Sequence, residues 1–416
     1  MAPNQPIKIR DFNEIPSDFF EKNANIILDL FEKACDMFIF KFDGEVGILA
    51  SSMDWFMEEW GRDTFISLPG LLLSRWRYED AKKIILRWAR YERKGLIPTT
   101  IKNNISYYLD ADSSLWFIRA LKKYFEYTKD IEILHEVKYI VKDILYGYIY
   151  GTSYRDGEKI KHIYMDDDFL IVTPERATWM DASALGALPP ITPRNGKAIE
   201  INALFYDALL FAIQIEKITS YEFHIDLEYY VRGIRNAFLK RFWDKERGIF
   251  RDVIDGDPKG NAFRPNQLFA LYSEKLIPLD IANIAFCNIE KALLTPGGIR
   301  TLSPDDPDYH GKYDTYAPIE IKDLAYHNGT AWPWLMGIFC DVYFKIKSEE
   351  KNEEEIKNRM RYYVAPLINF LIESPYHSLP ELFSGDPPHD PGGTRSQAWS
   401  VGEIYRIIKE YKLLNK

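Results

Sequence analysis

The sequence predicts an all-α protein built as an (α/α)6 barrel, a double ring of about twelve helices with a few small β-hairpins in its loops. Apolar residues recur with a helical period along most of the chain, and the periodic segments follow one another in pairs joined by short links. Strands do not alternate with helices, as a parallel sheet would require. No Ser-, Gly- or Pro-rich linker divides the chain, so residues 1–416 are expected to form one domain.

Helix start signals support several of these segments. Ser17 precedes the first apolar run, and Asp112–Ser113 precede "SLWFIRAL". The predicted helices cover residues 17–37, 62–76, 78–92, 110–128, 130–147, 200–217, 220–242, 264–275, 278–294, 326–345, 350–373 and 396–413. Six helical hairpins that close on themselves would bring their long loops to one face. An open helical array is the alternative, but no motif repeats at a fixed period.

Three segments between the helices predict hairpins. "FKFDGEVGI" (40–48) has an Asp-Gly turn between alternating residues, and residues 159–173 and 248–257 are interpreted in the same way. The glycine patterns that bind dinucleotides or phosphates are absent from the sequence.

The composition is typical of a globular protein with a neutral or weakly charged ligand. Apolar residues make up 46%, charged residues 28%, and the formal net charge is −9 without a basic block, which argues against nucleic acid as a partner. Cys35, Cys287 and Cys340 are too far apart for a disulfide framework or zinc site. The N-terminus lacks a signal-like apolar region and no long apolar run follows, so we expect a cytoplasmic protein without membrane contact. The richness in Lys, Glu, Ile and Tyr resembles proteins from hot environments.

The segment "ATWMDAS" (177–183) supplies a candidate proton donor. Asp181 follows Trp179 and Met180, and apolar neighbours raise the pKa of a carboxyl group by desolvation. A general acid that works near neutral pH requires such a pKa. The alternative is an ordinary helix cap or an Asp at the edge of the core.

The segment "SLPELFSGDPPHDPGG" (378–393) supplies the second carboxylate. Glu381 lies at the head of a loop whose Pro and Gly residues fix the backbone. Two carboxylates that flank a glycosidic bond are the machinery of glycoside hydrolysis. In an inverting enzyme one protonates the leaving oxygen and the other deprotonates a water, with the carboxyls about 6.5–9.5 Å apart. We therefore expect Asp181 and Glu381 to form such a pair.

Polar and aromatic residues recur in the same loops. Arg62 and Asp63 in "EEWGRDTFISLPG" offer donors and acceptors to vicinal hydroxyls, although Asp63 could instead cap a helix. The predicted substrate-binding residues are Trp60, Arg62, Asp63, Trp116, Trp179, Glu200, Asn202, Arg264, Gln267, Arg300, His327, Asn328, Trp332, Gln397 and Trp399. No cofactor or metal is predicted. "DDD" (166–168) and "DDPD" (305–308) leave calcium as an alternative, but neither matches an EF-hand loop.

Seven motifs resemble the amylo-α-1,6-glucosidase domain of glycogen debranching enzymes, in the same order from about residue 50 to 405. They are "WGRDTFISLPGLLL", "TWMDA", "GKAIEINALFYDAL", "RPNQLFAL", "GGIRTLSPDDPDYHG", "YHNGTAWPWL" and "ELFSGDPPHDPGGTRSQAWSVGE". The resemblance implies an (α/α)6 barrel that releases an α-1,6-linked glucose stub with inversion. It implies Asp181 as general acid, Glu381 as general base, Arg62 and Asp63 as a clamp on the terminal glucose, and the "HNGTAWPW" and "QAWS" stretches as subsite walls.

The sequence departs from this family in two respects. Many members have a Lys soon after "TWMDA", whereas Ser183 and Ala184 follow here. Eukaryotic members also carry a separate transferase domain, and many prokaryotic members carry an N-terminal β-rich domain. We expect neither within residues 1–416, so a partner that supplies the missing part is one expectation. The substrate would be glycogen or a shorter branched α-glucan.

Other functions stay open at this stage. A glucoamylase- or trehalase-like α-glucosidase would use the same fold, because loop shape selects the linkage. A phosphorylase of the same barrel fold is less favoured, because phosphate would replace the general base and Glu381 would have no role. A non-catalytic glycogen-binding protein is the alternative outside the enzymes.

Overall fold

We describe the protein from a computed structural model, in which residues 8–42, 44–52, 58–102, 104–182 and 190–414 are described. Helices dominate these residues. The thirteen α-helices among them are α1 (Phe19–Asp36), α2 (Gly61–Leu71), α3 (Tyr78–Ala89), α4 (Ser113–Thr128), α5 (Ile131–Tyr150), α6 (Ile199–Thr219), α7 (Leu227–Phe242), α8 (Gln267–Tyr272), α9 (Leu279–Leu293), α10 (Ile319–Tyr326), α11 (Leu335–Lys347), α12 (Glu353–Glu373) and α13 (Ala398–Glu410).

Six of the helices form a closed cycle of neighbours. Helix α2 packs against α4, α4 against α6, α6 against α8, α8 against α11, α11 against α13, and α13 against α2 again. Helices α1, α3, α5, α7, α9 and α12 each pack against a member of this cycle. Every residue of α2 is buried, as expected for a helix surrounded by protein. This helix-rich arrangement is consistent with the predicted (α/α)6 barrel.

Helices α2 and α13 approach each other closely within the cycle. A Cβ atom added to Gly70 would lie 1.8 Å from the carbonyl oxygen of Gly402, so the two backbones meet where neither residue has a side chain. Further along α13, the buried Arg406 guanidinium pairs with Asp341, Glu403 and Glu410. A charge this deep in the protein is retained because it is paired and hydrogen-bonded.

Short antiparallel strands occupy the connections. They are β1 (Ile39–Phe42), β2 (Glu45–Ile48), β3 (Glu59–Trp60), β4 (Thr100–Lys102), β5 (Ile105–Tyr107), β6 (Thr152–Asp156), β7 (Lys159–Met165), β8 (Ile171–Val172), β9 (Lys197–Ala198), β10 (Trp243–Asp244), β11 (Ile249–Phe250), β12 (Val253–Ile254), β13 (Leu294–Thr295), β14 (Gly298–Arg300), β15 (Ala331–Trp332), β16 (Leu382–Phe383) and β17 (Pro391–Gly392). The largest sheet has the order β13-β14-β15-β16-β17, with Ala331 opposite Phe383. This sheet brings the "TAWPW" segment beside the segment that follows Glu381.

The hairpins at 40–48 and 159–173 are confirmed, because β1 pairs with β2 and β7 pairs with β8. The hairpin predicted at 248–257 is wrong. Strand β11 pairs with the preceding β10, and β12 pairs with the distant β9, so each half of that segment finds its partner elsewhere.

The helix predicted at 326–345 begins too early. Helix α10 ends at Tyr326, and residues up to 334 form a turn and β15 before α11 begins at Leu335. Gly329 has φ +143°, and Pro333 cannot donate a backbone hydrogen bond, so a continuous helix is excluded here. Helix α10 was not predicted. Within the described part of the chain, no helix combines the length and apolar character needed to cross a membrane.

Candidate active site

An open cavity lies where helices α2 and α13 begin and where the loops before α11 and α13 meet. It has about 1070 Å³ of empty space. The described residues that line it are Ala50, Trp60, Arg62, Asp63, Trp179, Asp181, Ala182, Tyr313, Ile319, Lys322, Asp323, Tyr326, His327, Trp332, Glu381, Gly393, Thr394, Gln397 and Trp399. Ten residues predicted from the sequence are among them, including both carboxylates of the proposed pair.

Asp181 faces the cavity with 38% of its side-chain surface open, and its Oδ2 accepts a 3.3 Å hydrogen bond from Nη1 of Arg62. Burial raises the pKa of the Asp181 carboxyl above its ordinary value, Arg62 opposes the rise, and the nearby carboxylate of Asp112 adds to it. Because the hydrogen bond from Arg62 is long, it favours the ionised form only weakly, and the Asp181 carboxyl can hold a proton. These surroundings suit a proton donor.

Glu381 is held differently, because both of its oxygens accept hydrogen bonds. The Tyr326 hydroxyl donates to Oε1 at 2.5 Å, and the Thr394 backbone N–H donates to Oε2 at 3.1 Å. Burial raises the pKa of Glu381, and these two hydrogen bonds oppose the rise because they favour the ionised form. A Cβ atom on Gly393 (φ +66°) would lie 2.1 Å from Oε2, so the bare backbone makes room for the carboxylate.

Arg62 is anchored before it reaches the cavity. Its Nε and Nη2 donate to the Asp112 carboxylate at 2.7 and 2.8 Å, which leaves Nη1 directed at Asp181. Asp112 precedes α4, as the sequence predicted, but its carboxylate binds Arg62 and does not cap that helix. Asp63 does not cap a helix either, because α2 begins two residues before it.

A relay of hydrogen bonds fixes Asp63. The Thr394 hydroxyl donates to Oε1 of Gln397 at 2.6 Å, and Nε2 of Gln397 donates to Oδ1 of Asp63 at 2.8 Å. Burial raises the pKa of Asp63 to about 7. The loop that carries Glu381 is thus tied to the first turn of α2.

Indole rings form one wall of the cavity. Trp179 lies edge-on to Trp332 with 5.4 Å between ring centroids, and Trp332 lies 5.7 Å from Trp399. His327 stacks on Trp332 at 5.4 Å, and burial lowers its pKa well below the ordinary value, so the imidazole is neutral. Trp179 and Trp332 are 1% exposed and Trp399 is 5% exposed, so this wall is a packed apolar lining of the cavity.

Seven other predicted residues do not line this cavity. Trp116 packs against Phe269 and Trp334 inside the helix cycle. Glu200 pairs with the buried Arg194, and Asn202 accepts from the backbone N–H of Ile171. Their partners are protein groups, so direct substrate binding by these three stays a prediction without support from the geometry.

The remaining four hold loops together. Arg264 donates to Asn328 and to the carbonyl oxygens of residues 301 and 327, while Gln267 accepts from the backbone N–H of Phe250. Arg300 donates to the Gly385 carbonyl oxygen at 2.8 Å and lines a separate cavity. Their hydrogen bonds fix the loops that carry the active-site residues. Ser183 and Ala184, the departure from the family motif, lie outside the described residues.

Sequence reasoning missed several lining residues, above all Tyr326, Tyr313, Lys322 and Asp323. Three of these belong to α10, which was not predicted, and Asp323 lies close enough to Asp181 for their charges to interact. The aromatic residue before "HNGTAWPW" was the available signal for Tyr326.

The acidic triplet considered for calcium contacts a lysine. Nζ of Lys197 lies 2.8–2.9 Å from carboxylate oxygens of Asp166, Asp168 and Asp255. In the described ranges, no group of three or more His, Cys, Asp or Glu is arranged to hold a metal ion.

Comparison with known proteins identifies the family of the chain. The family described as amylo-alpha-1,6-glucosidase matches residues 33–406. This chain belongs to that family. It is a glycoside hydrolase of the amylo-alpha-1,6-glucosidase type, and the motif resemblance in the sequence is confirmed.

One relative is the glycogen debranching enzyme of Saccharomyces cerevisiae, 26% identical over 443 aligned residues. The match covers 83% of this chain but 29% of the yeast enzyme, so the chain spans less than a third of that relative.

Solved structures share the fold at low identity. The GH63 mannosylglycerate hydrolase of Thermus thermophilus, in complex with glucose, is 12% identical with a TM-score of 0.62, covering 92% of this chain and 98% of that one. A rhamnosidase of Klebsiella oxytoca with rhamnose bound is 12% identical with a TM-score of 0.58, covering 93% and 64%. These likenesses concern the fold alone.

Proposed function

We propose that this amylo-alpha-1,6-glucosidase family member removes single α-1,6-linked glucose residues from glycogen or branched maltooligosaccharides, with inversion at the anomeric carbon. The helices form an (α/α)6 barrel whose site lies at the N-terminal ends of the inner ring. One observation carries the proposal: Asp181 and Glu381 line one cavity in unlike surroundings.

Asp181 acts as the general acid. Its carboxyl, with a raised pKa, gives its proton to the glycosidic oxygen as the bond from that oxygen to the anomeric carbon breaks. The leaving chain departs as a neutral alcohol. Nη1 of Arg62 then stabilises the carboxylate that is left on Asp181.

Glu381 acts as the general base. A water between the carboxylate and the sugar gives its proton to Glu381 while its oxygen bonds to the anomeric carbon from the face opposite the leaving group. The product is β-glucose. Tyr326 and the Thr394 N–H keep Glu381 ionised for this step.

The terminal glucose is held by Asp63 and the indole wall. Asp63 offers carboxylate oxygens to sugar hydroxyls, and Gln397 fixes its orientation. Trp332 and Trp399, which line the cavity but are almost wholly buried, form the apolar backing behind the ring. Every group that these steps use is a side chain or backbone group of the chain itself, together with water.

A panel of linkages tests the proposal. Rates on a glucosyl-branched maltooligosaccharide, maltose and trehalose separate the debranching activity from glucoamylase- and trehalase-like activities. We expect the branched substrate to be hydrolysed fastest, without dependence on phosphate. Asp181→Asn and Glu381→Gln should each lower kcat about 10²–10⁴-fold and leave the circular dichroism spectrum unchanged.

Preference for maltose or trehalose would contradict the linkage assignment. Tight glycogen binding without glucose release would favour a binding protein. Activity on a short branched oligosaccharide but not on glycogen would indicate that a partner subunit or domain presents the polymer.

A further inference from the structure

A band of tyrosine side chains runs over the outer surface formed by α5, α7 and the loop before α7. We name it the tyrosine ribbon and define it as Tyr139, Tyr146, Tyr150, Tyr221, Tyr229 and Tyr230. Tyr139, Tyr150 and Tyr229 are 56%, 64% and 50% exposed. None of the six lines the active-site cavity.

The rings contact one another in sequence along the ribbon. Tyr139 lies 5.3 Å from Tyr221, Tyr146 lies 5.2 Å from Tyr150, and Tyr229 lies 5.4 Å from Tyr230, measured between ring centroids. Tyr150 also lies close enough to Tyr230 to raise the pKa of its hydroxyl, which brings the second pair beside the third. The ribbon thus consists of three aromatic pairs on neighbouring elements of one outer surface.

Lysine side chains lie over the rings. Nζ of Lys138 lies 5.4 Å from the ring centroid of Tyr139 and 5.1 Å from that of Tyr221, and Nζ of Lys142 lies 5.1 Å from that of Tyr146. Cation–π attraction of this kind keeps an ammonium group over one face of a ring. Hydroxyl and ammonium donors therefore stand among the exposed rings of the ribbon.

We propose that the tyrosine ribbon is a non-catalytic binding site for an α-1,4-linked glucan chain. Tyr139 to Tyr150 spans eleven residues of α5, about 16 Å along the helix, which is long enough for several consecutive sugar rings. A glucan offers C–H faces to the rings and hydroxyls to the phenols and ammonium groups. It is also uncharged, which suits a chain with a net charge of −9.

The inference rests on the proposed function, because only a polymeric substrate has further glucan chains that can bind at a second site. The catalytic cavity encloses a terminal residue, so the rest of the polymer lies outside it. A second contact on the same polymer raises the effective concentration of branch ends at the cavity.

The test compares glycogen and unbranched amylose binding with turnover of a short branched oligosaccharide. The triple variant Tyr139→Ala, Tyr150→Ala, Tyr229→Ala should weaken binding of both polymers by about tenfold or more, as measured by affinity electrophoresis and calorimetry. Its kcat/KM on the short substrate should stay unchanged. The matching triple Phe variant, which keeps the ring faces, should retain most of the affinity.

Trp76→Ala is the control, because Trp76 is 69% exposed and lies outside the ribbon. Unchanged polymer binding in the folded Ala variant would overturn the inference. A change of oligomeric state in that variant, without a change in polymer binding, would identify the ribbon as a protein interface and also overturn it. Failure of the wild type to hydrolyse the short substrate would instead contradict the proposed function, and the binding assay would still decide the ribbon.

Discussion

Tyr326 donates its hydroxyl proton to Oε1 of Glu381 at 2.5 Å, and no other side chain among the described residues donates to that carboxylate. The bond favours ionised Glu381, the form that a general base needs. Hydrogen bonds to charged groups contribute about 1.5–3 kcal/mol, and this one opposes the rise that burial causes in the pKa of Glu381.

Tyr326→Phe should therefore raise the pKa of Glu381. Because activity falls as the base becomes protonated, the acidic limb of the pH–rate profile should move to higher pH. The alkaline limb, set by Asp181, should stay in place. Tyr313→Phe is the matched control, since Tyr313 lines the same cavity and does not bond Glu381. An acidic limb that moves equally in both variants would remove the role assigned to Tyr326.

Asp112→Asn should change the pKa of Asp181, the general acid, instead of that of the base Glu381. The Asp112 carboxylate helps to raise the pKa of Asp181 and also binds Arg62. Removing its charge lowers the pKa of Asp181, so the alkaline limb should move to lower pH, because Asp181 loses its proton earlier. A full pH–rate profile measures both limbs. A shift of the alkaline limb to higher pH would contradict the electrostatic account.

Gly70→Ala should destabilise the fold without touching the site. The new methyl group would overlap the Gly402 carbonyl oxygen, and relief requires α2 and α13 to separate. Overpacking of this kind costs about 1–3 kcal/mol or more in the free energy of unfolding. Urea unfolding compares this variant with Gly157→Ala, where a Cβ meets nothing within 4 Å and only the positive φ of +58° opposes the side chain, so the control should lose less stability. Equal stability would show that the two helices are not so closely packed.

Lys197→Met should leave Asp166, Asp168 and Asp255 facing one another with Arg241 as the remaining cation, paired with Asp168 and Asp255 but not with Asp166. Lys197 lowers the pKa of Asp166, so this contribution to stability is present at neutral pH and is lost as pH falls through the range in which Asp166 becomes protonated. The variant should melt at a lower temperature than the wild type at pH 7, and the difference should narrow as pH falls below the ordinary Asp pKa of about 3.9, because the pKa of Asp166 is lowered. Lys275→Met, at an exposed lysine, is the control. A gap that widens as pH falls would contradict the account.

The sequence predicted most of the helices and singled out two carboxylates that line one cavity, because the signals for both are local. Asp181 and Glu381 lie in motifs that are recognisable in one dimension, and amphipathic periods mark most helices. Glu200 and Arg264 show what local signals cannot predict. A polar residue beside a motif looks the same whether it faces a cavity or bonds to protein groups, and only the packing of distant loops decides between them.

Tyr326 and Asp112 contact the site residues, and local sequence signals did not reveal these contacts. Tyr326 reaches Glu381 across 55 residues of sequence, and Asp112 reaches Arg62 across 50. Helix α10, which places Tyr326, has only eight residues and lies almost wholly before the start of the predicted 326–345 helix. The small five-stranded sheet was missed because most of its strands have two residues, too few for a period to show.

The anomeric form of the first product tests the central claim most directly. Proton NMR should follow a glucosyl-branched maltooligosaccharide from the first minute after the protein is added. We expect β-glucose to appear first and the α-anomer to follow by mutarotation, because Glu381 activates a water opposite the bond that Asp181 cleaves. Early α-glucose would mean retention and would contradict the roles assigned to Asp181 and Glu381.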